Sequence, residues 1–426
     1  MDNPKISVVM PSLNVRPYIE ECLDSVIRQT LQEIEIICVD AGSTDGTLEV
    51  LQKYESRDVR LHVLHDDRKS TGYANNMAVK RAVGEYIGIV ETDDYIAPDM
   101  FATLYAAAKE YDVDVCRMDY ARFWGDGKTR EILPKHIAGN GQYGRIIVPA
   151  EEQIVFLNDP FNWSGIYRRE YLLEKDIWHN ETPGAAYQDT GFWFQSFAFT
   201  NSLLYLPQVG YHYRLDNPGS SIHNPQKAFA LCDELQFIRR KLEKGQVFER
   251  FKKIFYTLVF NRYLWSYQRA GDDLRLPFAR RFREDILPAE GMDLLISDHQ
   301  KELFAELMAS PDEFHSSREQ ERINWQSRIA SNSDLVVVGC GNDGIRMMEA
   351  LAENDALVKV VCLADNDQGL QRQIRMGKRI LSPAEAYMLY PVADYLIASL
   401  KYGDELKAQL LSLGAKPEQI WTGHIL

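Results

Sequence analysis

Over the first 120 residues, short apolar runs alternate with stretches whose apolar residues recur at helical spacing. Ile6–Met10, Ile34–Val39, Leu61–Leu64, Tyr86–Val90 and Val113–Arg117 read as buried strands. Pro17–Thr30, Thr47–Tyr54, Gly72–Ala82 and Pro98–Glu110 read as the helices between them; in the first, Ile19, Cys22, Leu23, Val26 and Ile27 share one face. Parallel strands need a crossover and antiparallel ones do not, so this alternation predicts an α/β fold with a mostly parallel sheet covered on both sides. In such sheets ligands sit beyond the carboxyl ends of the strands. Three polar loops fall on that rim: Pro11-Ser12-Leu13-Asn14, Asp40-Ala41-Gly42-Ser43-Thr44-Asp45 and Glu91-Thr92-Asp93-Asp94.

The last of these puts three carboxylates at the end of a buried strand, where they repel one another unless something positive joins them. A hard divalent cation, Mg or Mn, suits such oxygen ligands and is usually shared with a phosphate. The competing reading is a solvated turn, in which Asp-Asp is common. The net charge of −14 and pI of about 5.2 argue against nucleic acid as the main partner. An acidic chain that handles anionic nucleotides needs a local cation, which agrees with the first reading.

The run SVVMPSLNVRPYIEECLDSVIRQTLQEIEIICVDAGSTDGT, followed by GEYIGIVETDD, resembles the family 2 glycosyltransferases over about the first 225 residues. The resemblance implies an inverting, metal-dependent enzyme with the GT-A (nucleotide-diphospho-sugar transferase) fold. It would bind a nucleotide-sugar, a UDP-sugar by expectation, at the strand ends, with Mn or Mg on the diphosphate. By position Asp94 would hold the metal and Asp93 the ribose, while Glu91 stands where many members have their first Asp. Pro11, Ser12 and Asn14 would line the nucleotide pocket, and Asp40 would accept from uracil or another base edge. Ala41 departs from the pattern, since many members carry Asp there. Arg68, Lys69, Asn75 and Asn76 would lie by the diphosphate or base, although the two asparagines fit ordinary helix surface equally well.

Inverting transfer also needs a base for the acceptor hydroxyl. In ETPGAAYQDTGFWFQSF, Asp189 follows Gln188 and opens a helix over Thr190–Phe199, resembling the family motif whose Asp is that base; the plain alternative is a helix N-cap. In YHYRLDNPGSS, His212 is a candidate further metal ligand or a packed core residue, and Arg214 a candidate phosphate clamp. Trp163 and Ser164 in FNWSGIYRREYL suit sugar stacking or core packing.

A chain of 426 residues is long enough for two or three domains. We expect the GT-A domain over 1–225, a helical region and linker over 226–325, with a polar linker in Ser310–Ser333, and an α/β module over 326–426. In that module Gly339-x-Gly341-x-x-Gly344 follows a strand, and a second strand, Val358–Leu363, ends at Ala364-Asp365-Asn366-Asp367, where a ribose-binding acid is expected. It resembles a Rossmann-like module appended to various sugar-modifying enzymes. No Tyr-x-x-x-Lys pair follows, which favours a nucleotide-binding loop at Gly339–Gly344 or a structural role over a dehydrogenase. The alternative functions are a Rossmann oxidoreductase or nucleotide sensor with a non-catalytic N-terminal domain, or a non-catalytic glycan-binding protein.

The six cysteines form no C-x-x-C pair and read as buried thiols of a reducing compartment. The chain enters its first strand directly, without a signal peptide, and no apolar run approaches the roughly 20 residues of a membrane span. The expectation is a soluble, cytoplasmic protein, with a lipid-linked or glycan acceptor. Val247, Phe251, Ile254, Phe255 and Leu258 share a face from which Arg250, Lys252 and Lys253 are excluded. That face fits either peripheral contact with an anionic membrane or packing against neighbouring helices.

Overall fold

β1 (Ile6–Ser12) and β2 (Ile34–Asp40) are buried at every residue, as central strands covered on both faces must be. The computed structural model describes residues 4–125, 127, 130–139, 141–219, 227–329, 334–341, 344, 347, 348, 351, 359–399 and 402–422. Its two compact units are Met1–Phe304 and Ala305–Leu426.

In the first unit β1 and β2 pair in parallel from Ile6 opposite Ile34 to Ser12 opposite Asp40, so the two strands deliver those last residues side by side. β3 (Leu61–His65) lies outside β2, and β4 (Tyr86–Ile89) lies on the other side of β1, both parallel. The crossovers are α1 (Ile19–Ile27), whose stripe Ile19, Cys22, Leu23 and Val26 is buried, α2 (Thr47–Glu55) and α3 (Thr71–Arg81). Ser70 caps α3 by accepting the N–H of Tyr73, satisfying one of the donors that a helix start leaves open.

Beyond β4 the sheet is mixed rather than mostly parallel. β5 (Tyr95–Ile96) and α4 (Met100–Glu110) lead to β6 (Val115–Trp124), which runs well past the expected Arg117 because its outer half pairs with β7 (Glu131–Lys135). β8 (Ile146–Ile147) follows. β9 (Gly165–Arg168) then inserts between β4 and β6, antiparallel to both. After α5 (Arg169–Glu174) and α6 (Gln188–Ala198), β10 (Leu203–Arg214) runs parallel to β6 and carries β5 on its outer edge. The strand order is β3-β2-β1-β4-β9-β6-β10-β5. Antiparallel neighbours need no crossover helix, so β9 enters through loops in which helix–strand alternation is lost.

α7 (Ala228–Lys244), α8 (Phe248–Arg269) and α9 (Asp272–Ile286) belong to this same unit. The apolar face of α8 is covered by protein: Phe251, Ile254, Phe255 and Leu258 are buried, with Phe251 against Phe156 and Phe255 against Phe194. No helix among the described residues is long and apolar enough to cross a membrane.

In the second unit, the expected linker Ser310–Ser333 is instead largely the helix Pro311–Ile329; residues 330–333 lie outside the described residues. Leu335–Val338 forms a central strand, parallel to Val360–Ala364 on one side and Asp394–Ile397 on the other. Lys378–Leu381 and Ile420–Thr422 extend the parallel sheet, and Ile374–Arg375 adds one antiparallel edge. Val336, Val338 and Cys362 face one buried cluster and Leu335, Val337 and Leu363 another, so both faces of this sheet are covered. Val358, the expected start of the second strand, and most of the segment after Gly344 lie outside the described residues. All six cysteines are buried and unpaired.

Candidate active site

The loops after β1 and β2 are stapled to one another. Asn14, at φ 53°, donates its N–H to Ser43 Oγ (3.0 Å) and accepts the Thr44 N–H at Oδ1 (2.9 Å). The N–H groups of Val15 and Arg16 donate to Thr47 Oγ1 and Asp45 Oδ2. Ser12 is buried, and Pro11 accepts the hydroxyl of Thr92, which joins β1 to the acidic loop.

Asp40 Oδ2 accepts the N–H groups of Gly42 (3.1 Å) and Ser43 (3.2 Å), with His65 Nδ1 3.5 Å away. Its Oδ1 is buried without a partner, as are Asp66 Oδ2 beside it and Asn75 Oδ1 on α3, which packs on β1 and β2. A buried acceptor with no donor is costly, and three on one rim suit a ligand that carries N–H or O–H groups. Asn76 is neither helix surface nor open to a ligand. It accepts the N–H of His179 and donates to the His179 carbonyl and to Glu181. Arg68 is exposed, stacked 3.7 Å over Tyr73 and 3.8 Å from Glu181. Lys69 runs past the Asp40 loop, its Cε 3.8 Å from where a Gly42 Cβ would stand.

In the acidic loop the two aspartates differ. Asp94 is buried: Oδ2 accepts the Tyr211 hydroxyl (2.7 Å) and Oδ1 the Arg214 backbone N–H (2.8 Å). Burial, then the neighbouring Asp93 charge, holds its carboxyl well above the usual range. Asp93 is half-buried; Asn217 donates to its Oδ2 (2.7 Å), and among the described residues no hydrogen bond is seen to its other oxygen. Burial, followed by the charges of Asp93 and Asp189, pushes Glu91 up to about 8.

Asp94 and His212, expected together on a metal, are engaged separately. Successive residues of β10 point to opposite faces, so while Tyr211 reaches Asp94, His212 stacks on Tyr95 at 4.2 Å and 9°. Burial, then Arg130, lowers its pKa to about 4. Arg214 is likewise not an open clamp. Its guanidinium donates to the Asp93 carbonyl (2.9 Å), Glu21 (2.8 Å) and Asp216 (3.3 Å), and it lies over Tyr18 and Phe123, so it braces the acidic loop from within. Among the described residues no three His, Cys, Asp or Glu side chains converge as a metal cage.

Asp189 sits in the first turn of α6, behind Tyr187 in the left-handed region (φ 65°). It accepts the Thr190 N–H (2.8 Å); burial raises its pKa to about 6, and the Arg262 charge opposes that rise. Its own charge acts on Glu91, so candidate base and acidic loop share one electrostatic environment. The approach to α6 is clasped to the start of α3. Gly184 donates to the Lys69 carbonyl (2.7 Å), Thr71 donates to the Gly184 carbonyl (3.1 Å), and Ser70 Oγ donates to the Thr182 carbonyl (2.8 Å). Gly72 is required there, because a Cβ would stand 1.8 Å from the Asn180 carbonyl oxygen. Arg262 of α8 and Glu234 of α7 reach the site from distant segments without a motif, and Tyr211 stands in the YHYRLDNPGSS run beside the two residues that the motif points to.

In the second unit Asp365 is turned inward. Its Oδ2 accepts the Cys340 N–H of the glycine loop (2.5 Å), and Arg375 donates to the Cys340 carbonyl (2.7 Å). A Cβ on Gly344 would meet the Gly339 carbonyl oxygen at 1.9 Å, so this glycine serves close packing within the loop.

Residues 7–190 match the profile of Glycosyl transferase family 2. The chain is 32% identical over 239 residues to the uncharacterized glycosyltransferase EpsJ of Bacillus subtilis (strain 168), covering 55% of this chain and 67% of that protein. It is 27% identical over 296 residues to the uncharacterized glycosyltransferase YibD of Escherichia coli (strain K12), covering 68% and 83%. The crystal structure of S. aureus TarS 1–349 superposes with a TM-score of 0.56 at 21% identity, over 75% of this chain and 92% of that one, a likeness of fold. The family match and the fold together define a glycosyltransferase with a GT-A-like α/β domain. The chain belongs to glycosyl transferase family 2.

Proposed function

We propose that the chain is an inverting transferase that moves a sugar from a nucleotide-sugar, with UDP as the nucleotide, to a hydroxyl of a glycan or lipid-linked acceptor. The observation that carries this reading is Asp189, held at a pKa of about 6 within the field of the acidic loop, on a helix whose approach is clasped to the loop that carries Lys69. Asp40, Asp66 and Asn75 offer acceptors to the one N–H of uracil and to the ribose hydroxyls, and Lys69 and Arg68 lie toward the phosphates. Asp189, ionised near neutral pH, takes the proton of the acceptor hydroxyl as its oxygen attacks the anomeric carbon from the face opposite the departing diphosphate.

The donor set suits a divalent cation shared with substrate better than a protein cage, because Asp93 has an oxygen to offer while both oxygens of Asp94 are taken. We therefore place the cation on Asp93. Held there, it would offset the charge that develops on the leaving diphosphate. The second unit we read as a Rossmann-like module in which Asp365 serves its own glycine loop rather than a ribose.

The test is Asp189→Asn. Turnover should fall by about 10²–10⁴-fold. The rise in melting temperature given by UDP-sugars should persist. A variant with native turnover overturns the assignment.

A further inference from the structure

Four aromatic rings are layered beside the acidic loop. Phe161 stacks on Trp163 (4.4 Å, 12°), and Trp163 stacks on Tyr211 (4.4 Å, 19°) and Tyr213 (5.2 Å, 14°). Trp163 and Tyr211 are buried, while Phe161 and Tyr213 are only half-buried and form the margin of the stack.

The corner that carries Trp163 is held under strain. Ser164 is a buried non-glycine residue at φ 62°, a conformation that persists only when its surroundings enforce it. Arg117 enforces it: fully buried, it donates to Ser164 Oγ (3.2 Å), the Trp163 carbonyl (3.4 Å) and the Asp159 carbonyl (3.4 Å). No ion pair with a carboxylate is seen for it among the described residues; its guanidinium rests on those oxygens and lies 5.8 Å from the Phe197 ring, and a buried cation without a counter-ion is expensive. Tyr167 donates to the Asn162 carbonyl from the other side (2.8 Å). Plain core packing does not call for a strained corner and an uncompensated buried charge.

The stack is tied to the chemistry. Tyr211 bonds Asp94, and the hydroxyl of Tyr213 feels the charges of Asp94, Asp93 and Asp189 in that order after burial, so it lies within their field. Asp159, half-buried, accepts the Tyr120 hydroxyl at the edge of the stack (2.9 Å) and can take hydroxyl donors from a ligand. An aromatic face bordered by carboxylates matches a pyranose, with its apolar C–H face and rim of hydroxyls.

We propose that Phe161 and Tyr213 are the stacking surface for a pyranose ring of the acceptor, which names the substrate of the transferase reading above and rests on it. The acceptor is favoured over the donor sugar by the sheet order: the nucleotide rim belongs to β1, β2 and β3, whereas the stack rises from β6, β10 and the loop before β9, on the far side of β4.

The test uses the full chain with UDP present. Methyl glycosides of glucose, galactose and N-acetylglucosamine are titrated, with saturation-transfer NMR to report which sugar protons face the protein. At least one should bind, through its ring C–H protons. Phe161→Ala should weaken it at least tenfold, about 1.4 kcal/mol. Phe161→Leu should fall between the two, and Tyr213→Phe, which keeps the ring, should bind like the native chain. The melting-temperature rise given by UDP should be the same in all of them, which also shows that they fold. The proposal is overturned if no glycoside binds the native chain, or if Phe161→Ala binds as tightly as native. If Phe161→Ala loses its response to UDP along with the glycoside, the stack serves the donor side and the acceptor assignment is overturned. Loss of the UDP response in the native chain, with glycoside binding intact, removes the transferase reading and leaves a sugar site.

Discussion

Tyr211 bridges two ends of the acidic loop: its hydroxyl donates to Asp94 Oδ2 at 2.7 Å, and its oxygen receives the backbone N–H of Glu91 at 3.0 Å. With Arg214 on the other oxygen, Asp94 is built into the scaffold, and the adjacent Asp93 is the aspartate with an oxygen to spare.

That division of labour predicts opposite signatures for two substitutions. Asp93→Asn should leave the melting temperature nearly unchanged and remove the response of activity to added Mn. Tyr211→Phe should strip a donor from Asp94 and an acceptor from Glu91, lowering stability by about 1–3 kcal/mol in denaturant unfolding. A Mn response that survives in Asp93→Asn would return the cation to Asp94.

The pH–rate profile should carry the mark of Asp189. A base works ionised, so kcat/KM should rise with pH through about 6 and level off above it. Arg262 favours the ionised form; Arg262→Gln should therefore move that midpoint to higher pH. An unmoved midpoint would mean that another group sets the limb.

Glu234 should make stability fall with rising pH. It is buried against Gly191, where a Cβ would stand 1.7 Å from Oε1, and it accepts a hydrogen bond from Asn180. Burial raises its pKa from 4.5 to about 8. Between those values the folded chain binds the proton and the unfolded chain does not, so stability declines as pH rises through that window. Glu234→Gln removes the titration. Urea unfolding at pH 5 and pH 8 should show native stability falling by up to a few kcal/mol, and the variant falling less, the remainder of its slope coming from Glu91 and Asp189, which are raised as well. Equal slopes for the two would locate the titration elsewhere.

Much of the first unit was legible because apolar periodicity reports directly on burial. β1 to β4 are as expected to within a residue or two, and three rim loops follow from where they end. The antiparallel insertion of β9 was not legible, since a four-residue strand between irregular loops has no period to read. The stretch Ser310–Ser333 reads as including a linker because its residues are charged almost all round, although Glu, Arg and Gln are strong helix formers and Pro311–Ile329 is a helix. Within the site, the strand-end residues Asp40, Asp93 and Asp94 were visible. What holds Asp93 and Asp94 was not, because it depends on Tyr211, Arg214 and Asn217, more than a hundred residues away. Arg117 was invisible as a structural residue for the same reason: a lone cation at the end of a strand looks like a surface group.

The clasp between Lys69–Ser70 and Thr182–Gly184 fixes the mechanical behaviour of the site. The loop that carries Arg68 and Lys69 and the segment that leads into Asp189 are one body, locked further where Gly72 meets Asn180. Moving one without the other would break the three hydrogen bonds of the clasp. On the proposed reading, a shift at Lys69 therefore loads the segment that carries Asp189.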